Sequence, residues 1–476
     1  MLFNSLQYAI FLPTIFILYW LMPDKYRKYL LLLSSYIFYM MFDIRCTILI
    51  IIVTFISWLT GIRIGKVESK RKQKITLISS ITFLFVILGI FKYYNFLLEN
   101  ILKLISTSEW NGNKLFLNII LPAGISFYTF QCVSYILDVY RGKEEVEKSL
   151  VYFALYVAFF PQLIAGPIER SGNVLPQLKL IKKFDYDQAT YGLKKMAVGY
   201  FKKIVLADFL AIYVNKIYGS LLEYTGFALV IVMVFFTFQI YFDFSGYSDI
   251  AIGTAKLFGI NLMENFKCPY FATSLKEFWS RWHISLSTWF RDYVYIPLGG
   301  GRCGKVKKAR NLIITFLLSG LWHGAAWHFV LWGGIHGAGQ VIENRLQLRK
   351  RRCFGKIISW IIVFGFVNIA WVFFRAESVQ DALYVLKNMM VGIGSPYEWI
   401  KAGYIDVDMN IYQWIGLCIG LLFMGVYDFL SLKKDVLSEL SELNPIIRWG
   451  IYIVFIIALL LFSQKGVETE FVYFQF

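Results

Sequence analysis

The chain has 476 residues and only four histidines, His283, His323, His328 and His336, all falling within one stretch. An imidazole with an ordinary pKa of about 6.5 can take the proton of an attacking hydroxyl near neutral pH, so these side chains are weighed first as general bases. Three of them lie in Leu321-Trp-His-Gly-Ala-Ala-Trp-His-Phe-Val-Leu-Trp-Gly-Gly-Ile-His-Gly337. There Gly and Ala let backbones approach closely, and the wide faces of Trp322, Trp327 and Trp332 can line a slot. A metal site competes with this reading, but the step from His323 to His328 is about 500° of helical rotation and does not put two imidazoles on one face. Taken alone, His328 reads as a packed or interfacial histidine, and His323 is open between a packed and a chemical role.

Other residue types narrow the chemistry. Cys46, Cys132, Cys268, Cys303, Cys353 and Cys418 are scattered with no CxxC spacing, so neither a disulfide framework nor a zinc site is expected. Gly299, Gly300, Gly301 and Gly304 before Lys305 match the start of a phosphate-binding loop. Val306 stands where the hydroxyl that holds magnesium belongs, however, and no α/β pattern surrounds it. A flexible basic connection at the membrane face, able to meet an anionic acyl carrier, is expected instead. Asp243 and Asp249 sit near the end of an apolar run, while Asp138 with Arg141 and Glu169 with Arg170 close two others. Opposite charges at helix ends pin packing or topology.

The elements that must position these groups are membrane helices. Hydrophobic residues make up 58% of the chain, charged ones only 17% and aromatics 19%, far from a water-soluble composition. Spans are read at 6–22, 29–42, 46–60, 75–91, 116–137, 151–168, 204–218, 227–242, 312–321, 326–342, 357–374, 412–430 and 449–462. Some of these are short or re-entrant, which leaves about 11 helices. Residues 1–22 lack the features of a cleavable leader and are expected to stay as a span. The net charge of +17 sits mainly in short loops, where it reads as a cytoplasmic topology signal and not as a nucleic-acid footprint. The basic clusters at 63–74, 302–310 and 345–356 face the cytoplasm on this rule and the N-terminus faces outward, so residues 311–344 must enter the membrane and return as a helix pair or re-entrant hairpin. Residues 174–208 carry Lys179, Lys182, Lys183, Lys194, Lys195, Lys202 and Lys203 among apolar residues, the pattern of amphipathic helices at the cytoplasmic interface. Residues 261–304, with Trp279, Trp282, Trp289, Arg281, Arg291 and Asp292, are too polar to span and read as interfacial, with Trp at headgroup depth.

Taken together, these segments resemble the membrane-bound O-acyltransferase family in its bacterial alginate O-acetyltransferase branch. The matching residues run in one order: Leu121-Pro-Ala-Gly-Ile-Ser-Phe-Tyr-Thr-Phe130, Asp138-Val-Tyr-Arg-Gly142, Pro161-Gln-Leu-Ile-Ala-Gly-Pro167 and Tyr241-Phe-Asp-Phe-Ser-Gly-Tyr-Ser-Asp249. They continue with Phe278-Trp-Ser-Arg-Trp-His-Ile-Ser-Leu-Ser-Thr-Trp289, Arg291-Asp-Tyr-Val-Tyr-Ile-Pro-Leu-Gly-Gly300, Leu321-Trp-His-Gly-Ala-Ala326 and the final Tyr473-Phe-Gln-Phe476. Ser280 departs from the Arg expected there, beside a retained Arg281.

The resemblance implies an all-α polytopic protein of the bacterial inner membrane. Its single domain, 1–476, would comprise N-terminal spans 1–117, a catalytic core 118–376 and C-terminal spans 377–476, built around a central tunnel with interfacial amphipathic helices. It implies an O-acetyltransferase in which His323 is the essential histidine and His283 the second, near the acyl path. His336, Trp322, Trp282, Asp243 and Arg281 would line or support the tunnel. No bound cofactor and no metal are implied; the donor is acetyl-CoA or another acyl thioester. The partners would be a polysaccharide acceptor or an extracytoplasmic SGNH- or lipase-like acetylase, together with membrane lipids and no nucleic acid. Two rivals remain on the residues: a D-alanyl transferase for teichoic acid, which the 295–302 stretch and the long part beyond 357 disfavour, and a transporter using its histidines as a proton relay.

Overall fold

A computed structural model describes residues 1–105, 115–117, 121–164, 166–346 and 355–463. The Tyr473–Phe476 ending and most of the 345–356 basic cluster lie outside these. Among the described residues the secondary structure is helical, with no strand. Six helices are long and apolar enough to cross a bilayer: Ile44–Lys66, Lys70–Ile105, Phe227–Leu257, Lys356–Arg375, Ile411–Ser431 and Pro445–Phe462; Leu6–Leu21 is a shorter apolar helix. They differ in surroundings, since 72% of the central stretch of Phe227–Leu257 is buried in protein and none of that of Pro445–Phe462. The first can therefore carry polar groups that the second could not shield.

The chain divides into two compact units. One comprises Met1–Leu193 with Ala251–Met263, the other Lys194–Ile250 with Glu264–Phe476. In the first, helices begin at side-chain caps: Ser5 accepts from the Tyr8 N–H, Asp43 from Arg45 and Ser149 from Tyr152. Long-range bonds then fasten the N-terminal helix, with Tyr8 Oη 2.7 Å from Thr254 Oγ1 and Trp20 Nε1 donating to the Leu257 carbonyl at 3.1 Å.

In the second unit the Tyr186–Tyr200 helix runs into a π-turn, Phe201–Ala207, and then into Asp208–Gly219. Here the structure departs from the expectation of a basic interfacial face over 174–208. Lys179 and Lys183 are exposed, but Lys202 and Lys203 are buried, 5% and 1% exposed. The wide turn brings both successive ammonium groups to carboxylates. Lys203 Nζ is 2.8 Å from Asp208 and 2.7 Å from Asp243, and Lys202 Nζ is 2.7 Å from Asp249, whose other oxygen is 3.1 Å from Lys195. A Cβ on Gly199 would sit 2.6 Å from the Gly246 carbonyl oxygen, so only glycine lets these two helices come this close.

Residues 311–344 form the expected helix pair: Lys305–His323 and Trp327–Leu346, joined through Gly324–Ala326. A Cβ on Gly320 would run into the Phe329 carbonyl oxygen, and one on Gly333 into that of Phe316. The small residues are what allow the backbones to meet. Because the helix breaks at Gly324, counting rotation from His323 to His328 along one helix does not apply: His323 ends one helix and His328 belongs to the next.

Candidate active site

His283 stands between the short helices Leu275–Arg281 and Ile284–Phe290, with φ +41° in the left-handed region. A non-glycine residue there costs of order 1–3 kcal/mol and persists where the surroundings over-determine it. Asn265 supplies those surroundings. Its backbone carbonyl accepts the Ile284 N–H at 2.9 Å, and its Oδ1 accepts from Ser285 Oγ at 2.9 Å and lies 3.1 Å from His283 Nδ1. Arg281 braces the same loop: its carbonyl accepts the Lys267 N–H at 2.9 Å, while its guanidinium pairs with Glu277 at 2.6 Å.

His323, the last residue of its helix, is 3% exposed, and its ring centroid lies 6.4 Å from that of His283. The other neighbours are aromatic. Trp322 and Trp332 each approach the His323 ring edge-on at 5.0 Å and Phe374 does so at 5.4 Å, while Phe244 stands edge-on to His283 at 4.6 Å. Such walls offer ring faces to both imidazoles and exclude water. Burial pushes His283 down from 6.5 to about 3, so the ring is neutral at physiological pH and able to accept a proton.

The remaining expected residues fall into three places. Trp332 lies between His323 and His336, 5.0 and 5.1 Å from the two rings, and His336 Nδ1 accepts from Trp279 Nε1 at 3.3 Å. Trp282 is fully buried, 4.9 Å from Trp371 and stacked on Phe278 at 5.6 Å. Within the 261–304 segment Trp279, Trp282 and Trp289 are at most 8% exposed, and rings from distant helices cover two of them, Trp332 on Trp279 and Trp371 on Trp282. Asp243 lies in the ion-paired cluster with Lys203, and Arg281 on the supporting loop. His328 Nδ1 is 3.0 Å from the Phe373 carbonyl oxygen, a packed arrangement. Among the described residues no group of three His, Cys, Asp or Glu could hold a metal ion. Asn265, Trp371 and Phe374 had no local signal marking them; their places depend on contacts far apart in the chain.

This arrangement, two buried imidazoles in an aromatic shell, suits proton transfer in a water-poor site. A family model described as MBOAT, membrane-bound O-acyltransferase family, matches residues 31–380. A probable alginate O-acetylase AlgI of Pseudomonas aeruginosa is 41% identical over 450 residues, 94% of this chain and 84% of that protein. The peptidoglycan O-acetyltransferase of Helicobacter pylori is 35% identical, covering 82% of this chain and 80% of that protein. A teichoic acid D-alanyltransferase of Streptococcus thermophilus is 34% identical over a shorter stretch, 52% of this chain and 61% of that protein.

Proposed function

The chain belongs to the membrane-bound O-acyltransferase family, and from that premise we propose that it passes acetyl groups from a cytoplasmic thioester across the membrane for O-acetylation of an exported or cell-surface polysaccharide. The observation that carries the chemistry is the buried His283–His323 pair with ring centroids 6.4 Å apart. In the proposed step a hydroxyl oxygen bonds to the thioester carbonyl carbon and its proton passes to His323. The carbon–sulfur bond breaks, and the proton is returned to the departing thiolate, leaving an ester and a thiol. A tunnel through the single 1–476 domain, with His323 near its narrowest point and His336, Trp322 and Trp282 along it, would connect the two faces of the inner membrane.

The exposed basic residues at 302–310 support a cytoplasmic docking site for an anionic donor such as acetyl-CoA. An extracytoplasmic acetylase of the SGNH or lipase-like kind would complete the transfer to polymer. The D-alanyl reading is favoured only by the shorter match to the teichoic acid enzyme, and the acyl group found on the polymer separates the two. Replacing His323 by Ala should abolish polymer acetylation while the protein remains folded in the membrane; acetylation retained in that variant would overturn the assignment.

A further inference from the structure

Asn265 decides which nitrogen of His283 carries the hydrogen. Its Oδ1 accepts the Ser285 backbone N–H at 3.3 Å and the Ser285 hydroxyl at 2.9 Å. A backbone N–H only donates, so the side-chain atom facing it must be the carbonyl oxygen of the amide. The far end of the amide agrees, since Asn265 Nδ2 donates to Ser248 Oγ at 3.2 Å. His283 Nδ1 lies 3.1 Å from the same Oδ1. An amide oxygen has no hydrogen to give, so in the neutral imidazole Nδ1 supplies it and Nε2 holds the lone pair. Ser285 Oγ, 3.4 Å from Nδ1, does not compete, because its own hydrogen points to Asn265. His336 is held the opposite way. Trp279 Nε1 is a donor only, and it reaches His336 Nδ1 at 3.3 Å, which places that ring's hydrogen on Nε2.

We propose that Asn265 is a positioning residue for acyl transfer: it locks His283 as the Nδ1–H tautomer, so that Nε2 presents an acceptor to the substrates. The group that His283 holds is then a hydrogen donor, a hydroxyl, an amide N–H or a thiol, and not the thioester carbonyl oxygen. Ser248 and Ser285 act through Asn265, one at each end of its amide. The inference rests on the acyl-transfer reading, whereas the tautomer itself does not.

The test uses the full chain in lipid vesicles, labelled with ¹⁵N-histidine, beside membranes of the producing cell supplied with radiolabelled acetyl-CoA. Four imidazoles give a spectrum simple enough to assign with His283→Gln and His336→Gln. The expected result is a protonated Nδ1 at His283 and a protonated Nε2 at His336 in the same sample. Asn265→Leu should abolish the preference at His283 and lower the rate of polymer acetylation about 10²-fold, the order of loss from a misplaced reacting group. Asn265→Asp, which keeps an acceptor facing Nδ1, should restore the tautomer and most of the rate; if Asn265 only filled space, Asn265→Leu, of similar volume, would lose neither. A wild-type His283 protonated on Nε2, or Asn265→Leu acetylating at the wild-type rate, would overturn the proposal. If Asn265→Leu fails to accumulate, the wild-type spectrum and Asn265→Asp still decide it. Wild-type membranes that transfer no acetyl would instead refute the acyl-transfer reading and leave the tautomer measurement standing.

Discussion

Two buried polar regions of the second unit lean on the same helix and treat charge in opposite ways. On Phe227–Leu257, Asp243 and Asp249 meet Lys203 and Lys202, and Tyr241 donates to Asp428 at 2.7 Å. From the same helix Phe244 meets the His283 ring and Ser248 meets Asn265, without an ion pair at either contact. The first region holds charges that are costly to bury and tolerable only when matched, so it works as a lock between helices. In the second, burial among rings holds His283 neutral. The difference separates frame from chemistry. Mutations in the lock should cost folded protein, and mutations in the aromatic shell should cost reaction.

The comparison breaks most sharply at Lys203. Lys203→Ala leaves Asp208 and Asp243 facing one another and should destabilise the protein by about 3–5 kcal/mol, read as loss of folded protein from the membrane, whereas His323→Ala should leave that level unchanged. Equal loss in both variants would dissolve the distinction. Tyr241→Phe removes one donor from a buried carboxylate and should cost about 1.5–3 kcal/mol, measured as a lower midpoint of thermal aggregation with acetylation per folded molecule preserved. Gly333→Ala tests the hairpin that carries His323. Its new methyl meets the Phe316 carbonyl, so a cost of about 1–3 kcal/mol is expected, and because the helix ends must part, activity should fall with it. The last effect is a slope. His283 is held down to about 3 when folded and returns to 6.5 when unfolded, so the unfolded chain binds the extra proton between those values. Stability should therefore fall as pH falls through that window, by at most about 1.4 kcal/mol per pH unit, and His283→Gln should flatten the dependence.

Much of this was legible in the residues. Composition alone separates the chain from soluble proteins, and the helix pair expected over residues 311–344 is present as Lys305–His323 and Trp327–Leu346. The histidine-bearing motifs point to the same region that the fold brings together. What local pattern could not convey is partner identity across long separations. Lys202 and Lys203 carry the composition of an interfacial face, yet Asp243 and Asp249, some forty residues later, take them inside. Trp279 and Trp282 have the composition of a headgroup belt, yet Trp332 and Trp371 cover them. Asn265 is one polar residue in an irregular loop, and only the backbone turn at His283 gives it meaning.

The π-turn at Phe201–Ala207 bears on how this part of the chain can change length. A π-turn holds one residue more than the α-helical path needs and absorbs that surplus in its wider turn, so the helices on either side keep nearly the phase of one continuous helix. Deleting one residue would take up that surplus and return the segment to an ordinary helix in the same phase, whereas adding one would rotate the following helix by about 100°. Lys202, Lys203 and Asp208 could not then all keep their partners. Conservative replacements along the turn keep the count and leave the phase intact, so this stretch should accept changes of residue far more readily than an added one.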